Sequence, residues 1–378
     1  MVNFIDLEAQ QKQILPSGIT LREDINKRIS EVLDRGAYIL GPEVEELESA
    51  LADFVGVKFC ITMASGTDAI LAALMSLDVE AGDEVITTPF SFFATSEMIT
   101  LLGAIPVFVD IDPLTYNLDP TLIEQAITKK TKAIMPVSLY GQPANFLEIN
   151  LIAKKFSIPV IEDAAQSFGA MHHGKKSCNL SDIGTTSFFP SKPFGCYGDG
   201  GACFTDNPVL AENMRKISRH GQSRRYFHTE IGFNGRLDTL QAAVLLAKLP
   251  LFKIEIDLRQ KVADTYFKLL KDLRNVKKPF IRDCNKSVYG QFTIEVENRE
   301  LVQDKLKTYN IPTAVHYPSI LPKQPALKNY LIGNNIKKLD IFKHAESASQ
   351  KVISLPMYPF ILESQQEYIV LKLKEILE

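Results

Sequence analysis

Hydrophobic positions in this chain fall into two rhythms. After Gly41-Pro42, the residues Val44, Leu47, Leu51 and Phe54 recur at three- and four-residue spacing, and Gly56 follows. Positions 43–55 therefore predict an amphipathic helix with a proline near its first turn and a glycine stop. Downstream, short apolar runs predict strands at 84–87, 106–110, 133–139, 159–162, 185–189 and 202–205. Helical patterns at 68–77, 121–127 and 146–156 lie between them. Runs that are apolar throughout, rather than alternating, belong to strands buried on both faces. Alternation of such strands with helices predicts an α/β protein with a mostly parallel sheet. In sheets of this kind ligands bind beyond the carboxyl ends of the strands.

Past residue 237 the rhythm changes. Positions 237–249 predict a strong helix that closes at Pro250, and a long helix at 254–273 follows. A strand at 288–296 comes next, then a helix capped by Asn298 and running to 309, and a strand at 313–317. Two last helices are expected at 340–352 and 364–377. This pattern places a domain boundary near 250, with a large α/β domain over 1–250 and a smaller α+β domain over 251–378.

Composition narrows the function classes. The 378 residues suffice for about two domains of ordinary size, and apolar residues make up 46%. A net charge of −3 gives no electrostatic case for nucleic acid or an anionic membrane as partner. No stretch approaches the roughly 20 apolar residues of a membrane span. The five cysteines are scattered and contain no CxxC pair, so neither a disulfide framework nor a metal site is expected. Free thiols and an N-terminus without a signal-like apolar core point to the reducing cytoplasm.

The candidate chemistry centres on Lys192. It follows Ser187-Phe188-Phe189-Pro190-Ser191 at a predicted strand exit and precedes the glycine-rich run Gly195 to Gly201. Desolvation by the surrounding aromatic and proline residues favours the neutral amine that imine chemistry needs. Upstream, Asp163 ends another predicted strand within Glu162-Asp163-Ala164-Ala165-Gln166. An ordinary helix cap is one reading of Asp163. The other is a buried carboxylate that needs a cationic partner. A lysine and an acid at neighbouring strand ends suit pyridoxal phosphate (PLP): the lysine binds the cofactor aldehyde, and the acid keeps the pyridine nitrogen protonated. Gln166 is placed to reach the phenolic oxygen. Ser65-Gly66-Thr67 precedes a helix and reads either as a simple N-cap or as a phosphate cradle. Among Phe90, Phe92 and Phe93, at least one packs in the core and another can stack on the pyridine ring. The cationic cluster Arg219, His220, Arg224, Arg225 and Arg236 reads as a solvated face or as an anion site. His316 lies just past a predicted strand, a position where histidine is commonly structural.

Together these segments resemble the DegT/DnrJ/EryC1/StrS family of PLP-dependent nucleotide-sugar aminotransferases. The likeness covers nearly the whole chain, from Tyr38–Pro42 through Ala64–Ala69, Glu162–Gln166, Ser187–Lys192, Gly198–Gly201 and Gly232–Arg236 to Ile311–Pro318. The resemblance implies fold type I, the aspartate-aminotransferase-like fold, with PLP held by residues 1–250. It also implies a homodimer with shared active sites. Lys192 would be the cofactor-linked lysine and proton shuttle. Asp163 would bind the pyridinium nitrogen, Gln166 the phenolic oxygen, and Phe92 would stack on the ring. Gly66, Thr67 and Ser187 would hold the phosphate, joined by Asn234 from the neighbouring subunit. Arg236, His316 and Tyr317 would face the partner's substrate. Relatives with histidine in place of the lysine are dehydratases, so Lys192 argues for transamination.

Within the family, the segments around Lys192, Gly195–Gly201 and Ile311–Pro318 look most like the branch that aminates UDP-linked 2-acetamido-2-deoxy-3-oxo-glucuronate, for cell-surface polysaccharide such as the O-antigen of lipopolysaccharide. L-Glutamate would be the donor, and Arg236 would pair the sugar carboxylate. Pro193-Phe194 departs from the Asn-Leu common in relatives and is expected to reshape the sugar pocket. The competing readings are a 4-keto-6-deoxy sugar nucleotide as substrate, a non-catalytic PLP-binding regulator, and a cofactor-free Schiff-base aldolase.

Overall fold

A computed structural model describes residues 2–334 and 342–378. Seven strands build the main sheet: β1 (Phe59–Met63), β2 (Glu84–Thr87), β3 (Ile105–Phe108), β4 (Thr131–Met135), β5 (Ile161–Asp163), β6 (Ile183–Ser187) and β7 (Gly201–Thr205). Two ladders, in the order β3-β2-β4 and β5-β6-β7-β1, are joined by parallel bridges from Ile134 to Val160 and from Val137 to Asp163. Only β7 runs antiparallel to its neighbours, so the sheet is mostly parallel, as the apolar runs predict. Helices α1 (Leu21–Arg35), α2 (Pro42–Val55), α3 (Gly66–Ser76), α4 (Ala94–Leu101), α5 (Phe146–Phe156) and α6 (Pro208–Ile217) accompany it. α2 starts with Pro42 and stops at Gly56, whose φ of 88° suits a residue without a side chain.

β1 is absent from the sequence expectation. Its apolar run is short and broken by Thr62, yet its last four residues are buried. The register then sets the functional edge. Gly201, at the start of β7, pairs with both Met63 and Ser187, so the carboxyl ends of β1 and β6 sit side by side.

The expected helix stop at Pro250 is not there. Helix α7 runs unbroken over Thr239–Leu269 with Pro250 inside it. An interior proline costs about 3 kcal/mol. Leu245, Leu246, Leu251 and Phe252 flank it and are all buried in the main aromatic and aliphatic core or beside it. Burying each such side chain gains about 1.5–3 kcal/mol, so packing outweighs the missing hydrogen bond.

Beyond α7, strands β8 (Val276–Lys277), β9 (Phe292–Val296) and β10 (Val352–Leu355) form a small antiparallel sheet. α8 (Arg299–Thr308) and α10 (Glu363–Leu377) pack with it around Tyr266, Phe292 and Ile369, while α9 (Lys343–Lys351) turns Ala345 and Ala348 into a separate cluster with Phe90 and Tyr140. β9 is shorter than the expected 288–296 because the Val288 amide leaves the sheet to bond the Gly141 carbonyl at 2.9 Å. Positions 313–317 form a single bridge, Ala314 to Ser354, rather than a strand. Asn298 stands at the start of α8 in a left-handed conformation, and its side chain makes no capping bond. The expected start of the penultimate helix at Asp340 lies outside the described residues. No described helix is long and apolar enough to cross a membrane.

Candidate active site

The carboxyl edge of the sheet gathers most of the residues singled out from the sequence. Asp163 ends β5 and is almost fully buried. Its Oδ2 accepts from the Thr95 hydroxyl at 2.9 Å and its Oδ1 from the Ala165 N–H at 3.2 Å. Burial raises its carboxyl above the usual value, against the opposing pull of the Ala165 N–H, Thr95 and Lys192. Lys192 lies on the loop after β6, where burial pushes its amine down and the Asp163 charge pulls it back up. The lowered amine is the state that attacks an aldehyde. A buried acid without a full counter-ion is the state that a protonated pyridine would satisfy.

Gln166 closes a third side. Its Oε1 accepts from the Tyr140 N–H at 2.8 Å, and its Nε2 donates to the Tyr317 hydroxyl at 3.0 Å. The Tyr140 hydroxyl in turn bonds the His316 carbonyl. His316 Nδ1 lies 3.0 Å from the Ser354 hydroxyl, and burial with Lys192 nearby lowers its ring to about 4. His316 and Tyr317 thus border the Lys192 and Gln166 cluster of their own chain. The ring of Phe92 is 55% exposed at the same edge and lies 6.3 Å from that of Tyr317. Phe90, by contrast, is wholly buried.

Opposite this wall is a cradle. Ser65 caps α3 by accepting from the Asp68 N–H at 3.0 Å, and the Ser65 carbonyl takes the Ala69 N–H. The helix itself leaves the N–H groups of Gly66 and Thr67 unpaired. A Cβ on Gly66 would meet the Ser187 Cβ at 2.6 Å, and one on Gly201 would meet the Ser65 carbonyl at 2.4 Å. Glycine at both positions lets the helix start approach the Ser187 hydroxyl, which is the geometry of an anion cradle. The residues present therefore fit PLP: donors for its phosphate, an acid for its ring nitrogen, an amide beside its ring and a lysine for its aldehyde.

Asn234 and Arg236 lie on the loop over 232–236. Their loop abuts the end of β1, where the Gly235 carbonyl accepts from the Ala64 N–H at 2.8 Å. Asn234 is exposed and bridges Arg219. The Arg236 Nε is buried without a hydrogen-bond partner among the described residues. Burial and the neighbouring Arg215 lower the Arg219 guanidinium, with Arg236 adding to the effect. Cationic charge thus accumulates here without full compensation. Arg224 and Arg225 lie on a hairpin over Gln222–Arg224 and Phe227–His228, each stacked on an aromatic ring of that hairpin.

Phe194 corrects one expectation. It is buried against Phe168, Phe188 and Phe252, with centroids 4.8 to 5.7 Å away, and belongs to the core rather than to a sugar pocket.

Four polar residues near the site were not singled out from the sequence. Thr95 is the first, and Ser91, one helical turn earlier, is the signal that accompanies it. Glu162 is the second. Its side chain takes bonds from Ser138 at 3.1 Å and from the Cys178 N–H at 2.7 Å, and burial pushes its carboxyl up to about 7. The third is Tyr140. The last is Lys248, buried in α7 and bonded to the Gly195 carbonyl just past Lys192, where burial lowers it to about 8.

A separate group, His172, His173 and Cys284, brings potential ligand atoms within 4.8 Å of one another. Both His172 nitrogens are already engaged, with Asn285 at 2.7 Å and the Leu147 N–H at 3.3 Å. No lone pair of that ring is free for a metal, and the group ties a short strand pair together.

This fold is shared with known proteins. The chain belongs to the DegT/DnrJ/EryC1/StrS aminotransferase family, matching it over residues 20–374. It is similar to the UDP-2-acetamido-2-deoxy-3-oxo-D-glucuronate aminotransferase of Pseudomonas aeruginosa, with 56% identity over 96% of each chain. Among solved structures it resembles DesV of S. venezuelae in complex with a ketimine intermediate, at a TM-score of 0.93 and 33% identity, covering 100% of this chain and 98% of that one. It also resembles NtdA of Bacillus subtilis with bound cofactor PMP, at a TM-score of 0.86 and 34% identity, covering 94% of this chain and 82% of that one.

Proposed function

We propose that this enzyme uses PLP to move the amino group of L-glutamate to UDP-2-acetamido-2-deoxy-3-oxo-glucuronate, giving 2-oxoglutarate and the 3-amino sugar nucleotide. The carrying observation is the 56% identity, over 96% of both chains, with the Pseudomonas enzyme named for that substrate. Bound PLP would supply an electron-withdrawing ring that stabilises negative charge at the carbon losing its proton. Asp163 would hold the ring nitrogen, Gln166 the phenolic oxygen, and Phe92 one face of the ring. Gly66, Thr67 and Ser187 would hold the phosphate, with Asn234 from a second subunit. Lys192 would bind the cofactor aldehyde and, once displaced, carry the proton between substrate and cofactor. His316, neutral at working pH, leaves that amine as the local base.

Arg236 supports the choice of a uronate. Its buried, unpartnered Nε offers a donor that a sugar carboxylate would satisfy. The exposed Tyr38, Ile39 and Leu40 support a homodimer in which each subunit completes the other's site. Cofactor binding is assigned to residues 1–250, with 251–378 as the smaller unit. Work on a nucleotide sugar and five free cysteines favour a cytoplasmic enzyme serving cell-surface polysaccharide assembly.

The visible spectrum of purified protein loaded with PLP tests the reading. L-Glutamate should bleach the yellow colour, and the 3-oxo-glucuronate nucleotide should restore it. Restoration by a 4-keto-6-deoxy sugar nucleotide alone would replace the substrate. A protein that never colours would remove the cofactor.

A further inference from the structure

The Asp163 carboxylate has a support that the proposed reaction does not account for. Thr95 lies in the first turn of α4 and is 1% exposed, and Ser91 is 3% exposed. Thr95 Oγ1 lies 2.9 Å from Asp163 Oδ2, and Ser91 Oγ lies 3.2 Å from Thr95 Oγ1. An ionised carboxylate only accepts, so the Thr95 proton must point to Asp163. The Ser91 proton must then point to Thr95. The polarity of the chain is fixed by its end: Ser91 donates to Thr95, and Thr95 to Asp163. Successive donors of this kind polarise one another and strengthen the last bond. Each Asp163 oxygen has one protein donor, Thr95 on Oδ2 and the Ala165 N–H on Oδ1. Each therefore keeps a lone pair for a further donor.

The charged and titratable neighbours do not replace this support. Lys192 is the cation that acts on Asp163, while Tyr317 and Glu162 lie close enough to feel its charge. Burial works against the ionised acid, and Thr95 is one of the few groups opposing it.

We propose that Thr95, oriented by Ser91, is a positioning residue that fixes the Asp163 carboxylate for the ring nitrogen of the cofactor. The inference rests on the PLP reading above and adds to it the pair of hydroxyls behind the acid. Thr95→Val keeps the shape and deletes the donor, whereas Thr95→Ser keeps the donor. A hydrogen bond to a charged group is worth about tenfold or more in affinity.

The experiment measures PLP affinity and the pH dependence of the visible spectrum for wild type, Thr95→Val, Thr95→Ser and Ser91→Ala. Thr95→Val should bind PLP about tenfold more weakly. Its spectral midpoint should rise by about half a pH unit or more, because a loosely held acid leaves less positive charge on the ring to disfavour a proton at the lysine nitrogen. Thr95→Ser should restore both, and Ser91→Ala should move both part of the way. A wild-type midpoint and affinity in Thr95→Val would overturn the inference while leaving the cofactor reading intact. Wild type that takes up no PLP would remove that reading and this inference with it. Should Thr95→Val fail to fold, Ser91→Ala decides: no shift in its midpoint or affinity rejects the relay.

Discussion

The two sides of the candidate site are built on opposite principles. Along the β5 wall, Asp163, Gln166 and Glu162 are each held by partners within the chain, and Asp163 keeps a lone pair on each oxygen for a further donor. Along the 232–236 loop, the Arg236 Nε is buried without an acceptor among the described residues, and Asn234 is exposed. A closed hydrogen-bond network holds one geometry in advance of any ligand, which suits a cofactor that stays. An unpaired cationic side chain such as Arg236 leaves its binding energy to be realised on contact, which suits a substrate that comes and goes.

Removing Lys192, whose amine feels the Asp163 charge of the closed wall, should have the largest effect. Lys192→Ala is expected to lower turnover about a thousandfold or more in an assay for 2-oxoglutarate, and to abolish the glutamate-driven bleaching. Normal turnover would sink the assignment. Breaking the open side should separate cleanly from this. Arg236→Ala is expected to lower kcat/KM for the uronate substrate about a hundredfold while leaving PLP affinity unchanged. An equal loss with a sugar lacking the carboxylate would place Arg236 elsewhere in the mechanism.

The closed wall also carries a pH signature. Burial pushes the Glu162 carboxyl up to about 7 in the fold, from an ordinary value of 4.5. The folded state therefore holds a proton that the unfolded state has already lost in that window. By linkage, stability falls as pH rises from about 4.5 to 7, by about 3 kcal/mol for this group alone. Urea midpoints measured at pH 5 and pH 7.5 should show the decline, and Glu162→Gln should flatten it. An unchanged slope would assign the pH dependence to other groups. The smallest expected effect lies away from both sides. Pro250→Ala should stabilise by about 2 kcal/mol, because relief of the interior-proline cost outweighs about 1 kcal/mol lost to a freer unfolded chain. A loss in the urea midpoint would mean that the proline ring itself packs.

Much of this was legible because it depends on local pattern. The Pro42 to Gly56 helix, the apolar strands and the residues at their ends follow from spacing and from glycine and proline punctuation. What escaped depends on distant packing. β1 is too short and mixed to announce itself, and it is a strand because β7 pairs with all five of its residues. Pro250 reads as a stop, and only the buried neighbours on both sides keep the helix going. Phe194 sits one residue from Pro193 beside the lysine, yet Phe168 and Phe252 draw it into the core. Thr95 looks like an ordinary first-turn residue until the fold brings its hydroxyl to Asp163 at the end of β5.

The long helix α7 has a consequence for how the molecule comes apart. At 31 residues it is a strut of about 46 Å that begins beside the 232–236 loop and ends under the small sheet. The 250 region offers no exposed linker for a protease to nick, and a gene split there would leave Leu251 and Phe252 bare at a raw end. The two units are distinct as neighbourhoods but not as fragments, and a swap of C-terminal regions between relatives must carry this helix whole.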